Sequence, residues 1–188
     1  KCNFFLEETM KKATLVLICI AVVTMMSLSV FAEDHTIVGE KKCSTCHKKA
    51  KYGNQTEAWA SSAHATAFET LKSEASIAIA KEKGLGNPWE EAACLKCHTT
   101  QAFLGAELNA KNKYIVEEGV SCEACHGAGS DYKKKKIMKD HDLSVAAGLV
   151  ANAKENCVVC HNDESPTFKD FDFDARWAEI KHALPAAE

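Results

Sequence analysis

Apolar and polar positions follow a helical period along several stretches of this chain and a strand period along almost none. His64, Ala67, Phe68 and Leu71 recur at i, i+3, i+4 and i+7 and share one face, within a helix predicted from about 57 to 83 that stops before Gly84. Toward the C-terminus Phe171, Ala175, Ala178 and His182 recur at i, i+4, i+7 and i+11, and Asp170, Asp172 and Asp174 gather near that helix's start, where its dipole favours acids. Asn87-Pro88-Trp89-Glu90-Glu91 opens another helix, with Asn as cap, Pro at the first position and acids in the first turn. Residues 144–156 also read as helical, weakened by Gly148. Tyr114-Ile115-Val116 is the only β-like run, a short extended connection ending at Gly119. The pattern predicts a mostly α domain with long loops.

The longest apolar run, residues 13–28, follows Lys11 and Lys12 and precedes Val30-Phe31-Ala32, the small-residue signature of a secretory cleavage site. Residues 10–32 therefore read as a signal peptide; an uncleaved anchor is the alternative, but the run is short for a bilayer span. Cys19 follows Ile18 rather than a small residue, which argues against lipoprotein processing. Residues 1–9 precede the plausible start Met10 and read as an upstream extension. The expected domain is 33–188, and the expected location is the periplasm or another extracytoplasmic face. That part carries 20 Lys and Arg against 24 Asp and Glu, a formal charge of −4. Lys133-Lys134-Lys135-Lys136 with Lys139 is a basic cluster against this background, either a solvated face, a docking patch or a partner for the carboxylates of a bound group. Nothing points to nucleic acid.

Chemistry enters with Cys43-Ser44-Thr45-Cys46-His47, Cys94-Leu95-Lys96-Cys97-His98, Cys122-Glu123-Ala124-Cys125-His126 and Cys157-Val158-Val159-Cys160-His161. A Cys-x-x-Cys-His unit tethers one haem, its thiols adding across the vinyl groups and its histidine binding iron. A random chain of this composition would hold about 0.02 such motifs. Zinc sites, iron–sulfur clusters and disulfides leave the four adjacent histidines unexplained. The expected cofactors are four covalent haem c groups. With 39 residues per haem, the porphyrins themselves must supply much of the apolar interior. The motifs start 51, 28 and 35 residues apart, too irregular for a solenoid.

Beyond the motif ligands His47, His98, His126 and His161, four histidines remain in 33–188: His35, His64, His141 and His182. Met138 is the only methionine there, so bis-histidine ligation at low potential is the default. His64 and His182 lie on the apolar helical faces described above and are the strongest candidates. His141 sits in a polar stretch, Lys139-Asp140-His141-Asp142, and His35 lies three residues inside the expected terminus, where disorder is common.

The order of Gly39-Glu40-Lys41-Lys42-Cys43, Trp59-x-x-Ser62-Ala63-His64-Ala65, Gly119-Val120-Ser121 before the third motif with Gly127 after it, and Phe173-x-x-x-Trp177 with His182 resembles the tetraheme cytochrome c-554 family. The resemblance implies that His141 completes the haem of His47, His64 that of His126 and His182 that of His161. It also implies that the haem of His98 can be five-coordinate under a loop, for which Pro166-Thr167-Phe168 is the counterpart. Three readings of His35 stay open: it caps that second haem, it leaves it open, or it binds a neighbouring subunit's haem.

The function expected is an electron carrier between redox proteins rather than an enzyme. One alternative is a small nitrogen-oxide reductase working at the open His98 haem; no Cys-x-x-Cys-Lys variant is present to support ammonia-forming nitrite reduction. The other is a polymeric cytochrome filament joined through His35.

Overall fold

The computed structural model describes residues 35–106 and 114–183; the signal segment expected over 10–32 and the extension over 1–9 lie outside them. Among the described residues the secondary structure is helical, without strands, and no helix is long and apolar enough to cross a membrane. The elements are α1 (Glu40–His47), α2 (Gln55–Ala60), α3 (Ala67–Thr70), α4 (Glu74–Glu82), α5 (Ala92–His98), α6 (Thr100–Phe103), α7 (Cys122–His126), α8 (Lys135–Met138), α9 (His141–Ala146), α10 (Lys154–Cys160) and α11 (Phe173–Ile180). None exceeds nine residues. Helices this short do not persist alone in water, so their stability comes from what they pack against.

The single helix predicted over 57–83 is three, separated by turns at 61–66 and 71–73. Tertiary contacts override the local period there. The carbonyl of His64 accepts from Val120 N at 3.1 Å, and the indole Nε1 of Trp59 donates to Val120 O at 2.9 Å. Gly119 presses on this turn with φ +65°, and a Cβ there would lie 2.8 Å from His64 O, so only glycine fits. The helix expected over 144–156 is interrupted at Gly148, φ +99°, where a Cβ would meet the His35 ring at 2.8 Å. Before the second motif, Pro88-Trp89-Glu90 forms a turn and the helix begins only at Ala92. The C-terminal helix does start where its acids predict, the Asp172 side chain accepting from Ala175 N, but it ends at Ile180, ahead of His182. Ile115 is extended, with a 3-10 turn over Val116–Glu118, close to the expected connection.

The apolar core is small: Ile37, Val38, Phe68, Leu71, Ala80, Tyr114, Ala124 and Tyr132. Beside it lies a buried polar knot. Thr100 N donates to Gly119 O at 2.9 Å, the Tyr114 hydroxyl donates to the same carbonyl at 3.0 Å, and Ser121 N donates to Thr100 Oγ1 at 2.7 Å. This knot fastens α6, which follows the second motif, to the entry of the third.

Candidate haem-binding sites

Each Cys-x-x-Cys-His unit lies at or against a helix C-terminus: on α1, α5 and α7, and on α10 with His161 as its cap. At i, i+3 and i+4 a helix presents both thiols and the imidazole on one side, the arrangement a tethered porphyrin needs. Helix α1 is aimed by two carboxylates at its start. Glu118 Oε2 accepts from Glu40 N at 2.8 Å. Glu123, inside the third motif and fully buried, accepts from Val38 N at 2.9 and 3.0 Å, Gly39 N at 2.8 Å and Gly129 N at 2.6 Å. Burial raises the pKa of Glu118, with Glu40 and Glu123 adding repulsion against the backbone donor that stabilises its anion.

Two motif imidazoles are held by hydrogen-bond acceptors. His47 Nδ1 lies 3.1 Å from Gln55 Oε1 and His98 Nδ1 lies 2.6 Å from Ala67 O. Both acceptors call for a proton on Nδ1, which leaves Nε2 free to bind a metal. The His64 ring stands 6.0 Å from that of His161, and the His126 ring 5.8 Å from that of His182. Two imidazoles on opposite sides of one metal, each bonded at about 2 Å, place their ring centres about 6 Å apart. Burial lowers the pKa of His64, His126 and His161, reinforced by His161 for His64, by His182 and His47 for His126, and by Arg176 for His161. Neutral imidazole is the ligating form.

The motif segments touch in an order that differs from the chain's. Helix α1 packs on α7, and Cys122 is pushed up in pKa first by its hydrogen bond with Cys43 and then by burial. Cys125 is raised by burial and by neighbouring Cys157, while Asn156 Nδ2 donates to Ala124 O at 3.1 Å. Cys160 is raised by burial and then by Cys97, and Lys96 pairs with Glu164 just past the fourth motif. Through these cysteines the neighbours run first, third, fourth, second, and the Thr100 knot brings the flank of the second motif back to the third. None of the eight described cysteines forms a disulfide.

The surroundings fit a flat apolar group. Helices α10 and α11 contain no buried residue, and Val158, Val159, Phe168 and Trp177 stand exposed where a core would normally cover them. Phe171 stacks on His161 at 4.6 Å, and Lys154 Nζ sits 4.2 Å over the Phe173 ring, tying α10 to α11.

Several expectations meet a different geometry. The resemblance pairs His64 with His126 and His182 with His161; the rings lie the other way round, His64 by His161 and His182 by His126. The physical reason sits beside the C-terminus. Gln55 Nε2 donates to Ala183 O at 3.0 Å and draws the residue after His182 toward the first motif. His64 occupies the turn before α3 rather than a helical face. His35 is held rather than loose: its Nδ1 lies 3.0 Å from Asp131 Oδ2, its ring packs on Gly148, and Thr36 N donates to Ser130 Oγ at 3.0 Å. This puts it beside the segment that follows the third motif. His141 opens α9, capped by Asp140, with its side chain 70% exposed. Among the described residues neither His141 nor His98 has another imidazole in ring contact. The Glu123 clasp and the Thr100–Tyr114–Ser121 knot went unread in the sequence, because their partners are backbone groups far away along the chain.

The family model described as "Cytochrome c554 and c-prime" matches residues 42–127, which hold the first three motifs. Cytochrome c-554 of Nitrosomonas europaea is 30% identical over 167 residues, an alignment taking in 77% of this chain and 66% of that protein. The chain belongs to the cytochrome c554 family. As a cytochrome c554 relative it spans about two thirds of the curated protein's length. Among solved structures, the reduced state of cytochrome c554 from Nitrosomonas europaea aligns with TM-score 0.49 and 24% identity, over 77% of this chain and 78% of that one. Membership of the cytochrome c554 family implies covalently bound c-type haem.

Proposed function

We propose that this protein is an exported, periplasmic tetrahaem electron carrier whose four haem sites form a relay in the spatial order first, third, fourth, second. When bound, haem c supplies reversible one-electron chemistry at its iron. The chain's part is to fix the sites. Cys43 and Cys46, Cys94 and Cys97, Cys122 and Cys125, and Cys157 and Cys160 tether; His47, His98, His126 and His161 ligate. His182, beside His126, and His64, beside His161, would each supply a further nitrogen to the iron held there, and His141, at the start of α9, would do so at the first site. Gln55 and the Ala67 carbonyl orient His47 and His98. The observation that carries this reading is the pair of imidazole couples with centres 6.0 and 5.8 Å apart, each joining a motif histidine to one outside the motifs.

The second site differs in its supply of histidines. Among the described residues His98, like His47, has no imidazole in ring contact, but with His141 given to the first site and His35 held by Asp131 on the third-motif side, none is left for it. We assign it an open iron under the turn that Glu164 fastens to Lys96, the turn that continues into Pro166-Thr167-Phe168. This also gives the reductase reading its place, as a side activity at one site.

Intact mass and a low-temperature spin-resonance spectrum of the oxidised holoprotein test both statements. Expected are four haems per chain, about three irons in four low-spin and one high-spin, and carbon monoxide binding to one ferrous iron. A mass matching the bare peptide overturns the carrier. An all low-spin spectrum that is indifferent to carbon monoxide overturns the open site.

A further inference from the structure

We propose that the surface around the first motif is the docking face for an acidic electron-transfer protein. This rests on the proposed carrier function, in which the first site is a terminus, its motif helix packing on that of the third. Lysines gather there. Residues 40–52 carry five lysines against one carboxylate, and residues 131–142 carry five lysines against three. All ten lysines are exposed.

The two segments meet at the first site. Tyr132, directly before the lysine run, is buried, its hydroxyl donating to Gly127 O at 2.7 Å. Glu123, Cys43 and Cys122 all add to burial in raising its pKa, which places it beside the first and third motifs. Val38, which leads into α1, packs against the Gly129 stretch from the other side. Lysines 133–136 thus emerge at the base of α1, whose far end carries Lys48 and Lys49 past His47.

The C-terminal segment is acidic. Residues 163–179 hold six exposed carboxylates against Lys169 and Arg176; the segment starts at the second motif, where Lys96 holds Glu164, passes the fourth at Phe171 and closes beside Gln55 at Ala183. Ten of the eighteen Lys and Arg among the described residues lie in the two segments at the first motif, in a chain whose formal charge is −3. Such a molecule turns its lysine end toward an anionic surface during approach, which raises the encounter rate and selects which site exchanges electrons first. An acidic redox protein is the occupant this geometry fits, because it brings a cofactor to the first site as well as complementary charge.

The test uses the four-haem holoprotein and a flavodoxin as acidic probe, with mitochondrial cytochrome c as a basic control. Titration calorimetry is expected to show flavodoxin affinity falling steeply between about 20 mM and about 300 mM salt, as the screening length shrinks below the size of the patch. Lys48→Glu, Lys133→Glu, Lys135→Glu and Lys136→Glu combined are expected to weaken flavodoxin at least tenfold and leave cytochrome c within twofold. Asp163→Lys with Asp170→Lys is expected to leave flavodoxin within twofold.

Flavodoxin binding unchanged in the lysine variant, or equally weakened by the aspartate variant, overturns the assignment. So does loss of binding to phosphatidylglycerol vesicles without loss of flavodoxin, which would make the patch a membrane contact. A shifted first-haem potential with flavodoxin affinity intact also overturns it, the lysines then serving the protein's own propionates. Haem mass and the reduced spectrum are recorded for every variant before any probe is added. A failed haem reading therefore appears there, independently of docking.

Discussion

Glu123 is the residue on which the first and third motifs jointly depend. Its carboxylate is fully buried and takes backbone donors from Val38, Gly39 and Gly129. Truncation would leave three N–H groups buried without an acceptor, a loss of about 3–5 kcal/mol. Glu123→Ala is therefore expected to lower the urea midpoint severely, and an unchanged midpoint would show that the clasp carries no energy. His64 offers a different test. Opposite His161, its replacement in His64→Ala should convert one further iron to high spin and displace the paramagnetically shifted proton signals of His161. Displacement of the His126 signals instead would restore the pairing that the family resemblance implies. The sequence made the four tethering motifs plain because their chemistry is local. It could not show which histidine faces which, since that depends on Gln55 reaching Ala183 across the molecule.

At the scale of elements, the knot around Gly119 joins the second motif's flank to the third. Tyr114 is the titratable member, and burial pushes its pKa up to about 12 against the backbone donors of Thr100 and Gln101, which pull the other way. A phenol whose folded pKa lies above its unfolded value contributes stability that is whole below about pH 10 and is lost as pH rises toward about 12. The loss attributable to Tyr114 is about 3 kcal/mol across that window. Unfolding measured from pH 9 to 12 should show this decline, and Tyr114→Phe should flatten it at the cost of the bond to Gly119 O. Helix period predicted the right secondary structure and the wrong lengths. His64, Ala67, Phe68 and Leu71 do fit one helical face, but Gly119 and Val120 seize the turn before α3 and break it. Period reports which positions are apolar; it is silent about a backbone arriving from fifty residues away.

At the scale of the molecule the apolar core is small: the described residues include eight buried hydrophobic ones, beside exposed Val158, Val159, Phe168 and Trp177. Eleven helices of nine residues or fewer among the described residues cannot hold one another without a shared surface. Protein made without haem attachment is accordingly expected to show no cooperative thermal transition and little helical circular dichroism, whereas the holoprotein melts in one step. A cooperative melt of the haem-free chain would show that the polypeptide alone makes the core. The mostly helical class was legible at once in the apolar period. The gathering of lysines at the first motif was only half legible: Lys133–136 stood out as a run, but its union with the lysines of α1 appears only when Tyr132 is seen beside both.

The clasp also bears on how the chain is made. Its two halves lie 85 residues apart. Synthesis runs from the N-terminus, so Cys43, Cys46 and His47 emerge long before residue 123 is available to cap their helix. During that interval the leading motif is an unanchored peptide, open to whatever enzyme performs the attachment. Only when the third motif arrives can its carboxylate take up the Val38 and Gly39 amides and fix the leading helix.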